Sequence, residues 1–177
     1  MTLRPPPSPS FLAACCALAL SACSARSTSQ GQPSQTFQGL TMTRTSAGDA
    51  QWTLHARQAS VNERDGAVEF QAPEVALFDG GKVVPDVASR RGFFHQKTQD
   101  LSLEGSVLVT GHDASGKAGG KITLRTDALD YVSTERVFRT DRAVLIERPG
   151  SRMKGRGLVA NHDLSEIRIK EQEAVFE

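Results

Sequence analysis

Few side chains in this 177-residue chain combine the types and spacing that metal binding needs. The four histidines, His55, His95, His112 and His162, follow one another at intervals of 40, 17 and 50 residues. Two ligands on one strand or helix face must lie within a few residues of each other. These intervals therefore predict no metal site.

Two further motifs resemble parts of active sites. Asp127 and Asp130 lie beside Tyr131 and could form an acid/base pair, but a Thr-Asp pair before a turn more often binds backbone amides. The glycine-rich segment 116–120 lacks the following Ser or Thr and the helix of a phosphate-binding loop, so it predicts a hairpin loop. We expect neither catalysis nor a cofactor.

The first residues have the composition of a secretory signal. The segment 11–20 holds ten apolar or small residues without charge, which is shorter than the ~20 residues that a spanning helix needs. It ends in Leu20-Ser21-Ala22-Cys23, which resembles the lipobox of bacterial lipoproteins, where the cysteine sulfur is acylated and the chain is cut just before it. The alternatives are an uncleaved anchor or an ordinary signal with an incidental cysteine.

These patterns divide the chain into three parts. We expect a signal peptide over residues 1–22, a flexible Ser- and Gln-rich tether over 23–36, and one folded domain over 37–177. Lipidation at Cys23, with palmitate-type chains, would hold the domain close to a membrane. The 21 basic and 20 acidic side chains nearly balance, which argues against nucleic acid as a partner.

The folded part has a hydrophobic period of two. Trp52, Leu54 and Ala56 alternate with polar residues, and Leu101 and Leu103 do the same further along the chain. Turn signals such as 79–81 and 149–150 separate these segments. No window of ten or more residues has helical spacing after the signal. The sequence therefore predicts an all-β, antiparallel fold.

A weak repeat refines this prediction. Segments that open at Ala56, Ala88, Thr126 and Gly157 begin 32, 38 and 31 residues apart, and each corresponds to about two strands. Such a unit cannot bury its apolar face alone, so the four units should share one interior in a sandwich or jellyroll.

Four segments of the chain, taken in order, resemble the LptC family of lipopolysaccharide export. Two closing segments, Thr140-Asp141 before 143–146 and 155–158, are also similar to this family. The four segments are Trp52-Thr53-Leu54-His55-Ala56, Ala72-Pro73-Glu74-Val75-Ala76-Leu77-Phe78, Leu101-Ser102-Leu103-Glu104-Gly105-Ser106-Val107-Leu108-Val109 and Leu124-Arg125-Thr126-Asp127-Ala128-Leu129-Asp130-Tyr131.

The resemblance implies an open, V-shaped β-jellyroll in the periplasm and a non-catalytic function. Such a protein would receive lipopolysaccharide from an inner-membrane ABC transporter of the LptB/LptF/LptG type and pass it to an LptA-like bridge protein. The better-known members use an N-terminal helix as inner-membrane anchor, whereas this chain would use a lipid on Cys23. Ser24 is not the Asp that retains many lipoproteins at the inner membrane. The outer membrane is therefore an alternative location for the anchor. The alternative is a structural or chaperone-like envelope lipoprotein that binds a protein partner or another acyl ligand.

Strand phase and the resemblance together select two sets of residues. The C-terminal strand with Ala174, Val175 and Phe176 is the expected partner edge, because an unpaired edge can accept a further strand. The apolar phase should line the lipid-binding interior with Trp52, Leu54, Phe70, Leu103, Val107, Leu124, Tyr131, Val144 and Ile146.

Overall fold

The protein folds into β-strands joined by tight turns. The computed structural model describes residues 34–62, 66–112 and 120–175. The strands are Ser34–Ser46 (β1), Asp49–Asn62 (β2), Ala67–Gln71 (β3), Glu74–Asp79 (β4), Lys82–Ala88 (β5), Arg91–His95 (β6), Asp100–His112 (β7), Lys121–Val132 (β8), Val137–Arg148 (β9), Ser151–Asn161 (β10) and Ile167–Val175 (β11). β1 thus begins three residues before the predicted start of the domain.

All eleven strands belong to one twisted antiparallel sheet, which confirms the predicted all-β, jellyroll-like fold. β7 to β11 follow one another as neighbours, and β1 pairs with β2. Between β2 and β7 the sheet divides into two short paths, because β2 pairs with both β3 and β4 while β7 pairs with both β5 and β6. The predicted turns at 79–81 and 149–150 connect β4 to β5 and β9 to β10.

Strands β7, β8 and β10 are interrupted at the same level, which we call the bend. Register shifts interrupt β7 at 104–107, β8 at 126–130 and β10 at 156–158. In β8 the inward side also changes there, since the buried residues occupy even positions up to Thr126 and odd positions from Leu129 onward, whereas in β7 they stay on odd positions throughout. Left-handed residues, with φ between 48° and 77°, mark the same level at Gly39, Ala72, Gly105, Ser106 and Gly157.

The bend divides the sheet into two arms. The first arm contains β4 and β5 with the long-strand segments 40–46, 49–56, 107–112, 121–126, 143–148, 151–156 and 171–175. The second arm contains β3 and β6 with 34–38, 58–62, 100–104, 128–132, 137–140, 158–161 and 167–169.

The inward faces of the two arms form one hydrophobic core. Trp52 of the first arm contacts Phe94 of the second edge to face, with ring centroids 5.6 Å apart. Gly111 is also an approach point between the arms, since a Cβ there would come within 2.9 Å of Leu164 Cδ1. The bent sheet therefore buries its apolar side against itself. Among the described residues, no helix is long and apolar enough to cross a membrane.

Candidate functional site

All nine residues predicted to face the interior are buried in the core. Their exposed fractions lie between 0% and 4%, so the alternation of strands gave the correct phase at each position. The first arm carries Trp52, Leu54, Val107, Leu124, Val144 and Ile146, and the second carries Phe70, Leu103 and Tyr131. Their role in lipid binding stays a prediction.

The interior is closed rather than an exposed slot. Side chains with exposure of a few per cent leave no room for an acyl chain unless the arms separate or the core rearranges. The indole Nε1 of Trp52 is buried without a hydrogen-bond partner among the described residues, which is costly for a polar group in such surroundings. Among the described residues, the Trp52 indole N–H is thus a free donor for a ligand between the arms.

Turns of the two arms meet opposite the bend, where we define the mouth cluster as Arg44, Asp79, Tyr131, Arg136 and His162. Arg136 Nη2, in the second arm, donates to Asp79 Oδ1 in the first arm at 2.9 Å. The same nitrogen lies 2.7 Å from His162 Nε2, and the backbone N–H of His162 donates to Arg136 O at 2.9 Å. Arg44 reaches across as well, since its Nη1 donates to Gln99 O at 3.3 Å.

The electrostatics of the mouth cluster favour the neutral form of His162. Its burial, followed by the positive charge of Arg136, lowers the pKa of His162, although Asp163 and Asp79 oppose this effect. The neutral imidazole can accept the hydrogen bond that Arg136 offers. Burial raises the pKa of Tyr131, while the charges of Arg136 and Arg44 and a hydrogen bond with Arg136 oppose the change.

The two ends of the sheet carry unpaired strand edges. In the described part of the chain, β1 pairs only with β2 and β11 pairs only with β10. Ala174 and Val175 of the predicted partner edge lie in β11, opposite Met153 and Arg152, whereas Phe176 lies outside the described residues. On β1, Phe37 is a large apolar side chain with 41% of its surface exposed.

The chemically capable residues of the sequence do not converge. His55 Nδ1 lies 2.9 Å from Thr41 Oγ1, and His95 Nε2 lies 3.4 Å from Ser102 Oγ. Both contacts are on an exposed surface. Asp127 and Asp130 are exposed while Tyr131 points into the core. Within the described ranges no three His, Cys, Asp or Glu residues cluster as metal ligands. Cys23 and most of the segment 116–120 lie outside those ranges.

Sequence reasoning missed the mouth cluster as a unit. Its members come from turns and strand ends that are distant in sequence: 57 residues separate Asp79 from Arg136. It also missed a pocket of about 770 Å³ on the bend between β7 and β11, lined by charged side chains that include Arg125, Lys154 and Glu171. Only the turn composition around Asp79 and His162 could have drawn attention to these positions.

Comparison with known families identifies the family of this chain. A family model described as "Lipopolysaccharide-assembly, LptC-related" matches residues 11–176. The chain belongs to this family. A search of curated proteins found no match.

Membership of the LptC-related family gives the general function. It implies a role in lipopolysaccharide assembly and transport, association with lipopolysaccharide and the Lpt machinery, and a place in the cell envelope or periplasm. The family consists of transport proteins rather than enzymes.

Proposed function

We propose that this LptC-related protein is a bridge component that carries the acyl chains of lipopolysaccharide between its two arms. It would receive the lipid from an inner-membrane ABC transporter of the LptB/LptF/LptG type and pass it to an LptA-like bridge protein. The observation that supports this most is a continuous apolar interior within a bent sheet whose two ends are unpaired strands.

The interior supports the proposal through its composition and extent. It runs through both arms and contains large apolar side chains such as Trp52, Phe70 and Leu103. Each methylene of an acyl chain that moves from water into such surroundings gains about 0.8 kcal/mol. This gain is reduced by the free energy that is needed to separate side chains that now pack on one another. A transient ligand in a protein that both receives and releases lipid fits this balance.

The unpaired edges support the proposed handover. An edge strand presents backbone N–H and C=O groups on which a partner can add a strand with little demand on side chains. We assign the incoming partner to β1, where Phe37 offers an exposed aromatic contact, and the outgoing partner to β11. Deletion of residues 172–177 should abolish pull-down of the LptA-like protein and lower the thermal midpoint only modestly. Retained binding by a folded, truncated protein would exclude β11 as the outgoing edge.

The proposed anchor is a lipid on Cys23, after removal of residues 1–22 as a signal peptide. Tether and anchor would keep the domain at a membrane in the periplasm. Metabolic labelling with a clickable fatty acid should mark the wild type but not Cys23→Ala, which should accumulate as unprocessed precursor. Cys15→Ala serves as the matched control and should label normally. Equal labelling of the wild type and Cys23→Ala would contradict the anchor.

Site-specific photocrosslinking in cells tests the proposed lipid path. A photoreactive amino acid at Leu103 or Val107 should capture lipopolysaccharide, because both side chains face the interior. The same amino acid at Ser102 or Glu104, on the opposite face of β7, should not. Capture from the outer face alone would mean that lipid follows a different surface.

A further inference from the structure

The mouth cluster places two guanidinium groups beside the apolar interior. Arg136 donates to the Asp79 carboxylate in the first arm, and Arg44 of the first arm donates to Gln99 O in the second. Asp163, directly after His162, is a second carboxylate close by, so the two guanidinium groups are available as donors without a net positive charge around them. Leu164, a fully buried core residue, lies two positions after His162. An apolar interior bordered by cations matches an amphiphile with an anionic head.

The contact between Arg136 and Asp79 is exchangeable. Their side chains are 41% and 49% exposed, and an ion pair between such groups contributes at most about 1 kcal/mol. The Nε of Arg136 is buried without a hydrogen-bond partner among the described residues, so it becomes available to a ligand once the arms separate. A guanidinium group binds a phosphate through two parallel N–H donors, more strongly than a single contact to an exposed carboxylate oxygen.

The same contact joins the two arms. Asp79 lies at the turn between β4 and β5 in the first arm, while Arg136 and His162 lie in turns of the second arm. A ligand that replaced Asp79 on Arg136 would remove this tie at the side where the arms must separate to admit acyl chains. Charge neutralisation at the head and entry of the chains would then be coupled steps.

We propose that Arg136, assisted by Arg44, is a binding site for a phosphate group of the transported glycolipid, and that this phosphate displaces the Asp79 carboxylate. This inference rests on the proposed function, under which the ligand is lipopolysaccharide with its phosphorylated lipid A. Asp79 holds the phosphate position in this structure. His162 orients Arg136 through its Nε2 contact and the backbone hydrogen bond.

The test compares intact lipid A with lipid A whose phosphates have been removed enzymatically. Affinities of the purified protein for both are measured by thermophoresis in a nonionic detergent. Wild type should prefer the phosphorylated form, and Arg136→Gln should weaken that form by roughly tenfold while leaving the dephosphorylated form unchanged. Arg139→Gln is the matched control, since Arg139 is an exposed β9 arginine that pairs with Glu135.

Asp79→Asn gives a result that misfolding cannot produce. Loss of the competing carboxylate should tighten binding of phosphorylated lipid A roughly twofold to fivefold, with no gain for the dephosphorylated form. Equal affinity of wild type for the two forms, or an equal loss for both in Arg136→Gln, would overturn the phosphate site and leave the proposed function standing. Failure of wild type to bind either form would refute the proposed function itself.

Discussion

Burial at the level of single residues separates the two faces of each strand. In β8, Leu124 is 1% exposed and lies in the core, while the next residue, Arg125, points outward toward Glu147. Side-chain direction in a strand reverses at every step, so neighbouring residues experience opposite surroundings. This contrast makes adjacent pairs useful for testing which side of the sheet forms the core.

Leu124→Ala should lower the free energy of unfolding by about 2–5 kcal/mol, because it removes apolar contacts and leaves a cavity. Arg125→Ala should change it by no more than about 0.5 kcal/mol, since the ion pair with Glu147 is long and exposed. Urea unfolding followed by circular dichroism gives both values. Equal losses in the two variants would mean that the strand phase is wrong.

His162 makes the folding stability depend on pH. Its pKa is lower in the folded state than its ordinary value of 6.5, mainly through burial and then through the charge of Arg136. The unfolded chain therefore binds a proton more readily than the folded protein. As a result, the free energy of unfolding decreases as the pH falls below about 6.5. Thermal midpoints measured between neutral and mildly acidic pH should decrease in wild type and decrease less in His162→Gln.

Two aspartates with lowered pKa values titrate outside the pH range of this effect. Asp141 has a pKa lowered from 3.8 by its hydrogen bond from Lys170. Burial tends to raise the pKa of Asp163, but the hydrogen bonds from Ser165 and the charge of His162 outweigh it. Both carboxylates lose their contribution to the free energy of unfolding only when the pH falls below their ordinary pKa. An unchanged profile in His162→Gln would exclude the histidine.

At the scale of strands, the bend organises the fold. The four repeat positions Ala56, Ala88, Thr126 and Gly157 all lie next to it. The hydroxyl of Thr126 donates to Ala143 O at 2.9 Å where the ladder between β8 and β9 is interrupted. The repeat found in the sequence therefore reflects the fact that successive strands return to the bend.

Gly155 allows β11 to pack closely on β10 near this bend. A Cβ at Gly155 would lie 2.5 Å from the backbone oxygen of Glu171 and would collide with Ile169, so β11 would have to move. Gly155→Ala should cost about 1–3 kcal/mol and increase hydrogen exchange in β11 in particular.

Gly150→Ala is the matched control for Gly155→Ala. Its Cβ would meet open space, so only the strain of a φ of +74° remains, and exchange in β11 should stay at the wild-type rate. Unchanged exchange of β11 in Gly155→Ala would show that the close approach does not hold this edge in place.

For the whole molecule, local sequence patterns predicted the two faces of each strand, whereas contacts between distant segments could not be predicted. Alternation identified the apolar face of each strand because side-chain direction has a period of two regardless of the partner strand. The mouth cluster depends on which turns meet after the sheet bends, and no local pattern connects Asp79 with Arg136 or His162. The closure of the interior was also not predictable, since it depends on how tightly the two arms pack.

The central claim is that acyl chains of the transported lipid lie between the two arms. Trp52, the single tryptophan of the chain, is buried there against Phe94 of the opposite arm and serves as a native probe. Lipid A with brominated acyl chains should quench its fluorescence on binding, because bromine quenches only at close contact, whereas unbrominated lipid A should not. Binding of the brominated lipid at the same affinity without quenching would contradict the account.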